Sequence, residues 1–307
     1  MQAPAINVTG LTKRFDGQEV VSGLNLQIET GQIYGFLGPN GSGKTTTMRM
    51  LCGLLSPDAG SGYCLGLDIC TQTEQLRKRV GYMTQRFSLY EDLSIRENLD
   101  FTARIYGIDQ RRQRVNQTLE QLGFSRKRAN QLAGQLSGGW KQRLALACSM
   151  IHKPRVLLLD EPTAGVDPKA RREFWDEIHR LSEEEKVTTL VSTHYMDEAE
   201  RCERLAFIAW GRIMADGTLE SICKETGLRS WEIRGNRVQR LAPELRLLPG
   251  IEQVVSFGQT IHVIGTDAGV IEHSLKGYRK EFKLSELPPS AEDLFIYLMS
   301  QARDNFS

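Results

Sequence analysis

Gly38-Pro39-Asn40-Gly41-Ser42-Gly43-Lys44-Thr45 fits G-x-x-x-x-G-K-[ST], a spacing in which glycines let successive backbone N–H groups curl around an anion. Lys44 adds a counter-charge, Thr45 and Thr46 add hydroxyls, and a helix starting here adds its positive end. The chemistry is the holding of a polyphosphate, with Thr45 offering its oxygen to Mg²⁺. Further along, "VLLLDEP" sets Asp160 and Glu161 side by side after an apolar run. Asp160 suits a metal's water shell and Glu161 an attacking water, and a general base of this kind contributes about 10² to 10⁴ in rate. Alone, the pair would read as two strand-end charges facing solvent.

A second glycine-softened helix start lies in "QLSGGWKQRLALA", Gln135 to Ala147. It too has the form that receives a phosphate, through Ser137, Gly138 and Gly139. Its position, beyond a long helical stretch and far from Lys44 along the chain, raises the question of whose phosphate it meets. Trp140 stands directly after its glycines.

The elements that must position these groups follow from periodicity. Val20 to Ile28 alternates apolar and polar residues, and the apolar "IYGFLG" runs straight into the glycine loop, so strand, loop and helix follow in order. From Thr71 to about Ile151 the pattern is helical, with Ile95, Leu99 and Ile105 expected on one face, and Leu144, Cys148 and Ile151 on the inward face of the later helix. "RVLLLDE" suits a strand buried on both faces, followed by a helix over about 169–181, the strand "VTTLVST" and a hairpin turning at Gly211. Beyond Gly227 the rhythm changes: a strand "WEIRG", a helix near 238–247, a strand pair hinged at Gly258, and a last helix opened by a Ser290–Asp293 capping box. The expected fold is α/β, with a mixed-sheet core and an inserted helical subdomain of about 86–152 inside a domain of 1–228. A small α+β domain of 229–307 completes it.

Bulk properties exclude some classes. The chain has 307 residues, enough for two unequal domains, and Lys+Arg 39 against Asp+Glu 38 leaves +1, no field for holding nucleic acid. Six irregularly spaced cysteines without C-x-x-C read as reduced core thiols. The remaining histidines, His152, His179, His262 and His273, show no metal-ligand spacing, and the runs Arg111–Arg114 and Arg126–Arg128 read as solvated helical faces, with contact to anionic lipid as the alternative. Neither a secretory N-terminus nor a run of about 18 apolar residues occurs, so the expected place is the cytosol, with any membrane role arriving through a partner.

Over about 5–228 these motifs resemble the ATP-binding subunits of ABC transporters, a P-loop NTPase fold. The resemblance implies that Phe15 stacks on adenine and that Gln85 of "YMTQRF" joins Mg²⁺ to the helical subdomain and takes part in catalysis. It makes Ser137-Gly138-Gly139 the family signature, Asp167 of "AGVDP" its D-loop acid, and His194 of "VSTHYMDEA" the switch histidine at the γ-phosphate. Phe15 alone would fit a core aromatic at a strand end, and His194 alone a structural histidine. In the family the signature meets the ATP held by a second subunit. One phosphate loop and one signature therefore imply a homodimer or a homologous partner, with two Mg-ATP sandwiched between.

A separate integral membrane permease is also implied, docked near "RFSLYEDLSIRENL" on Phe87, Leu89 and Tyr90, with the chain peripheral on the cytoplasmic side of the inner membrane. "FSLYEDLSIRENLDF", "LLLDEPTAGVDPKARREFWDEI" and "LPPSAEDLFIYLM" resemble the type 2 export ATPases, for drugs, lipid-linked polysaccharides and sodium. The C-terminal domain would brace the dimer, regulate it, or serve stability alone. Other classes are a soluble ABC ATPase without transport, which would usually carry two cassettes or a long coiled coil, and a regulatory module, expected to lack Glu161 or His194. Trp140 departs from the family's usual glutamine. It either alters nucleotide affinity and dimer closure or is a replacement packed on the surface.

Overall fold

The computed structural model describes residues 3–301; Met1, Gln2, residues 302–307 and the Arg126 side chain lie outside the described set. Two compact units divide between Ile213 and Met214, upstream of the boundary expected at 228. The chain passes from one to the other inside a single strand, Arg212–Gly217, which a change of sequence rhythm does not mark.

In the first unit, strands β1 (Ile6–Phe15), β2 (Gln18–Ile28) and β3 (Ile33–Leu37) precede helix α1 (Lys44–Leu51). Then come β4 (Ala59–Cys64), β5 (Leu67–Asp68), α2 (Thr73–Arg77) and β6 (Val80–Met83). Helices α3 (Ile95–Ile105), α4 (Arg111–Gln121), α5 (Arg126–Ala129) and α6 (Gly138–Met150) follow. The unit continues with β7 (Val156–Asp160), α7 (Pro168–Glu185), β8 (Thr188–Thr193), α8 (Met196–Ala199) and β9 (Arg204–Ala209), and ends within β10 (Arg212–Gly217).

The strands form an antiparallel sheet of order β2-β1-β4-β5 and a six-stranded sheet of order β10-β9-β3-β8-β7-β6. In the latter β9, β3, β8, β7 and β6 run parallel. Every residue of β3, β7 and β8 is buried, which is why these strands read as apolar runs rather than alternating ones. One face of the sheet packs with the antiparallel sheet and α1 through Tyr34, Phe36, Met48 and Leu158. The other packs on α7 through Phe174, Trp175 and Ile178.

Strand β6 interrupts the stretch 71–151 expected to be helical; at four residues it is too short for periodicity to reveal, and its pairing with β7 defines it. In α3, Ile95, Leu99 and Ala103 are buried, whereas Ile105 is 67% exposed. Its expected place on the inward face is wrong, because a step of six residues from Leu99 turns it off the i, i+4, i+8 line. Leu144, Cys148 and Ile151 do face the helical cluster. Leu146 of α6 instead joins the sheet cluster beside Leu157 and Trp175, so this helix bridges the two cores.

The second unit has α9 (Leu219–Thr226), β11 (Arg229–Arg234), α10 (Ala242–Leu245), β12 (Gln253–Phe257), β13 (Thr260–Gly265), α11 (Ala268–Leu275), β14 (Lys283–Leu287) and α12 (Ala291–Gln301). Its sheet order is β12-β13-β11-β14. Ser290 and Asp293 form the reciprocal bonds of a capping box, Ser290 N to Asp293 Oδ2 at 2.9 Å and Asp293 N to Ser290 Oγ at 3.1 Å.

Among the described residues, no helix is long and apolar enough to cross a membrane. Of the cysteines, Cys52, Cys64 and Cys148 are buried and Cys202 and Cys223 half-buried, but Cys70 is exposed, so it is not a core thiol.

Candidate functional site

Four neighbouring parallel strands, β3-β8-β7-β6, point their C-terminal ends the same way, and each delivers one group of the sequence motifs. β3 leads into the glycine loop, β8 into His194, β7 into Asp160 and Glu161, and β6 into Gln85. Strand order therefore assembles residues distant in the chain, as it does Lys44 and Glu161, 117 positions apart.

The loop itself is shaped by what cannot fit. A Cβ on Gly38 would meet Ile208 O at 2.3 Å, and Gly43, at φ +99°, would drive one to 2.7 Å from Val20 O. Gly211 ties the loop to the β9–β10 turn, donating from its N–H to Ser42 O at 3.1 Å. Lys44 is buried and donates to Gly38 O at 2.8 Å and Pro39 O at 3.0 Å. Burial pulls its ammonium below the ordinary lysine range, opposed by Glu161 and Asp160. Ser42 Oγ is buried without a hydrogen-bond partner in the loop.

Thr45 Oγ1 donates to Asp160 Oδ2 at 2.7 Å, and Ser192 Oγ donates to Asp160 Oδ1 at 2.7 Å. Tyr82 lies 3.5 Å from the same carboxylate, and its phenol is pushed up to about 12 by burial and by Asp160. Glu161 holds a non-glycine backbone at φ 46°, a conformation costing about 1–2 kcal/mol. Its N–H is fastened to Ser192 Oγ at 3.0 Å. The carboxylate is 7% exposed, accepts from Gln85 Nε2 at 2.8 Å, and lies 3.7 Å from Lys44 Nζ. His194 Nδ1 stands 3.3 Å from Glu161 Oε2, close but without hydrogen-bond alignment. Asn40 to Thr46, Val20, Gln85 and Glu161 line a cavity of about 340 Å³. Phe15, 44% exposed, projects from the hairpin whose second strand passes Val20 at the loop.

Hard oxygen donors, Thr45 Oγ1 and the Asp160 carboxylate, thus stand beside a cradle containing an unpartnered serine hydroxyl, a set that fits Mg²⁺ held next to phosphate.

Comparison with known proteins meets this geometry. The family model "ABC transporter" matches residues 21–164. The Nod factor export ATP-binding protein I of Rhizobium sp. (strain N33) is 36% identical over 301 residues, 97% of this chain and 98% of that protein. The chain belongs to the ABC transporter family. The probable multidrug ABC transporter ATP-binding protein YbhF of Escherichia coli (strain K12) is 43% identical over 219 residues, 71% of this chain; the match spans only 38% of YbhF's length. Among solved structures, the ATP-binding cassette MJ0796, a dimer in a post-hydrolysis state bound to ADP and Pi, superposes with a TM-score of 0.63 at 26% identity, covering 69% of this chain and 98% of that one. The fold is that of ABC ATPases.

Within this ABC subunit, Ser137, Gly138 and Gly139 are not brought to the phosphate loop. Ser137 caps α6 with no side-chain cap bond, and it lines a separate cavity of about 470 Å³ with Gly139, Trp140, Arg143 and Asp167, sharing no residue with the first. Gly139 is held against α7: a Cβ there would lie 2.5 Å from Ala170 Cβ. Asp167 caps α7, its Oδ1 accepting from Lys169 N at 3.1 Å and Ala170 N at 3.0 Å.

Trp140 turns back onto the helical region. Its ring lies 5.3 Å from Phe124, with the guanidinium of Arg128 3.9 Å from its centroid and that of Arg143 at 4.9 Å. Arg128 is therefore stacked rather than solvated, and Arg111 is paired with Asp100 at 2.5 Å. Of the three residues expected in a docking groove, Phe87 and Leu89 pack half-buried on the helical cluster. Tyr90 is 51% exposed and edge-on to Phe101. Sequence reasoning missed Ser192, Tyr82 and Glu198, each buried or half-buried at the site's margin. Only the strand-end positions of Tyr82 and Ser192, and the place of Glu198 four residues after His194, could have flagged them.

Proposed function

We propose that this chain binds and hydrolyses Mg-ATP and powers an export system, working as a pair of like subunits against a separate membrane permease. The observation that carries this reading is that Lys44, Thr45–Asp160, Gln85–Glu161 and His194 converge at one sheet edge while Ser137-Gly138-Gly139 stand apart in the same chain. A half-site at each place makes two copies complete each other.

In this reading Gly38 to Thr46 and Lys44 hold the β- and γ-phosphates, and Phe15 stacks on the base. Thr45, Asp160 and Gln85 would hold Mg²⁺, which would supply positive charge beside the phosphate oxygens. Glu161 takes a proton from the attacking water, Gln85 orients its carboxylate, and His194 contacts the γ-phosphate. The partner's Ser137, Gly138 and Gly139 close over the same phosphate, with Asp167 shaping the adjoining turn. The chain would sit peripherally on the cytoplasmic side of the inner membrane. The names of its relatives, one multidrug and one Nod factor export, support efflux of drugs or other small molecules less directly than they support ATP binding.

The test has two arms: phosphate release by the purified chain with Mg-ATP, and a photocrosslinker at Tyr90 in membranes of the native cell. Turnover with capture of an integral membrane protein is expected. Absence of turnover, or crosslinks to soluble proteins alone, would overturn the reading.

A further inference from the structure

We infer that Glu198 is a positioning residue that locks the segment following Glu161 to the strand end preceding His194; the inference rests on the function proposed above. Glu198 lies in α8, four residues after His194, and is 1% exposed. Its two carboxylate oxygens are divided between two catalytic connections. Thr163 Oγ1, two residues beyond Glu161, donates to Oε1, and Thr193 Oγ1, directly before His194, donates to Oε2 at 2.7 Å. Both threonines are 1% exposed, so neither hydroxyl has water as a substitute.

A third element joins them. Arg171, in the first turn of α7 beyond the Asp167 cap, brings Nε to 3.6 Å from Glu198 Oε1 and Nη1 to 3.2 Å from Asp197 Oδ2. The same guanidinium lies 4.5 Å from the Tyr195 ring centroid, and Tyr195 in turn is 4.2 Å from the His194 ring. Because the N-terminal turn of α7 also abuts Gly139, one buried carboxylate links the signature helix, the turn at Asp167 and His194.

Stability alone does not call for this arrangement. A buried charge is costly, and apolar residues of similar volume usually serve a core as well or better. What a carboxylate supplies, and an apolar residue cannot, is two acceptors at fixed separation, here holding the two connections that leave β7 and β8 in one register. Glu198 touches no substrate; it acts through Thr163 and Thr193.

Glu198→Gln keeps the shape but replaces one acceptor with a donor, and Thr163→Val removes one hydroxyl while leaving the carboxylate. In the full chain each should lower kcat about ten- to hundredfold, the loss expected when a buried polar pair is broken, with KM for Mg-ATP within about threefold. The double variant should be no slower than the worse single one, because both break the same link. The His194 imidazole resonance, followed by NMR without turnover, should move in both. An unchanged kcat, parallel loss of Mg-ATP binding, or multiplicative effects in the double variant would overturn the assignment. If Glu198→Gln does not fold, Thr163→Val decides by the same criteria. A wild-type chain without turnover in which Glu198→Gln still moves the His194 resonance would overturn the function and uphold the lock; an unmoved resonance would overturn the lock.

Discussion

Gln85 Nε2 donates a 2.8 Å hydrogen bond to Glu161 Oε2, fastening the carboxylate after β7 to the segment that leads from β6 into the helical region. His194 Nδ1, 3.3 Å from the same oxygen, is not aligned to replace it. Gln85→Ala should therefore lower kcat by about tenfold, the equivalent of one hydrogen bond to a charged group, and, with one proposed Mg²⁺ ligand removed, raise KM for Mg-ATP by about threefold or more. Steady-state phosphate release over a range of ATP concentrations checks both numbers.

Gly139 tests the signature helix without touching the phosphate loop. Its missing side chain lets α6 approach α7, and a methyl there meets Ala170 Cβ, which has no rotamer to yield. Gly139→Ala should leave ATP binding by the dilute, monomeric chain unchanged and abolish ATP-dependent dimerisation and turnover. Fluorescent-nucleotide titration and light scattering read the two separately.

Trp140 is a packing residue in this geometry, its faces taken by Phe124, Arg128 and Arg143. Trp140→Gln should cost about 1–3 kcal/mol of stability, from lost stacking and cation–π contact, with Trp140→Phe retaining about half. The ATP dependence of turnover should stay as in the wild type. Denaturant titration alongside kinetics distinguishes this from a nucleotide-facing role.

The second unit carries a pH signature of its own. His262 Nδ1 lies 3.3 Å from the buried Asp293 carboxylate. That hydrogen bond, against the cost of burial and with help from Glu232 and Glu292, raises the imidazole above its usual 6.5. Burial pushes Asp293 upward, but His262 and the Ser290 cap outweigh it and hold the carboxyl below its usual 3.8. A raised histidine stabilises the fold fully below about 6.5 and loses that contribution as pH rises through the folded value. A lowered aspartate contributes above about 3.8 and loses its share as pH falls. His262→Gln should thus depress the melting temperature most near about pH 5.5, with the gap to wild type closing by about pH 9. Calorimetry at both pH values checks it.

Motifs bound to short local geometry were readable from residues alone. The glycine loop, the apolar β7 and β8 and the Ser290–Asp293 box each depend on neighbours within a few positions. What escaped depends on distant partners. β6 is defined by pairing with β7, and the burial of Phe87 by the helical cluster. Glu198 sits in "MDEAE", which looks like a solvated acidic helix until Thr163 and Thr193 close around it. The antiparallel partnership of β1 with β4 reaches across β2, β3, the glycine loop and α1, so no periodicity announces it. The division at 213 and 214 likewise cuts through one continuous strand.

In the proposed dimer the phosphate loop of one copy is completed by Ser137-Gly138-Gly139 of another. Glu161→Gln should slow hydrolysis about 10²- to 10⁴-fold and so preserve the loaded state. Light scattering of that variant should show twice the chain mass with ATP and the single chain mass with ADP, and adding Ser137→Arg should return the ATP sample to the single mass. A Glu161→Gln chain that holds one ATP per copy yet remains single would contradict the account.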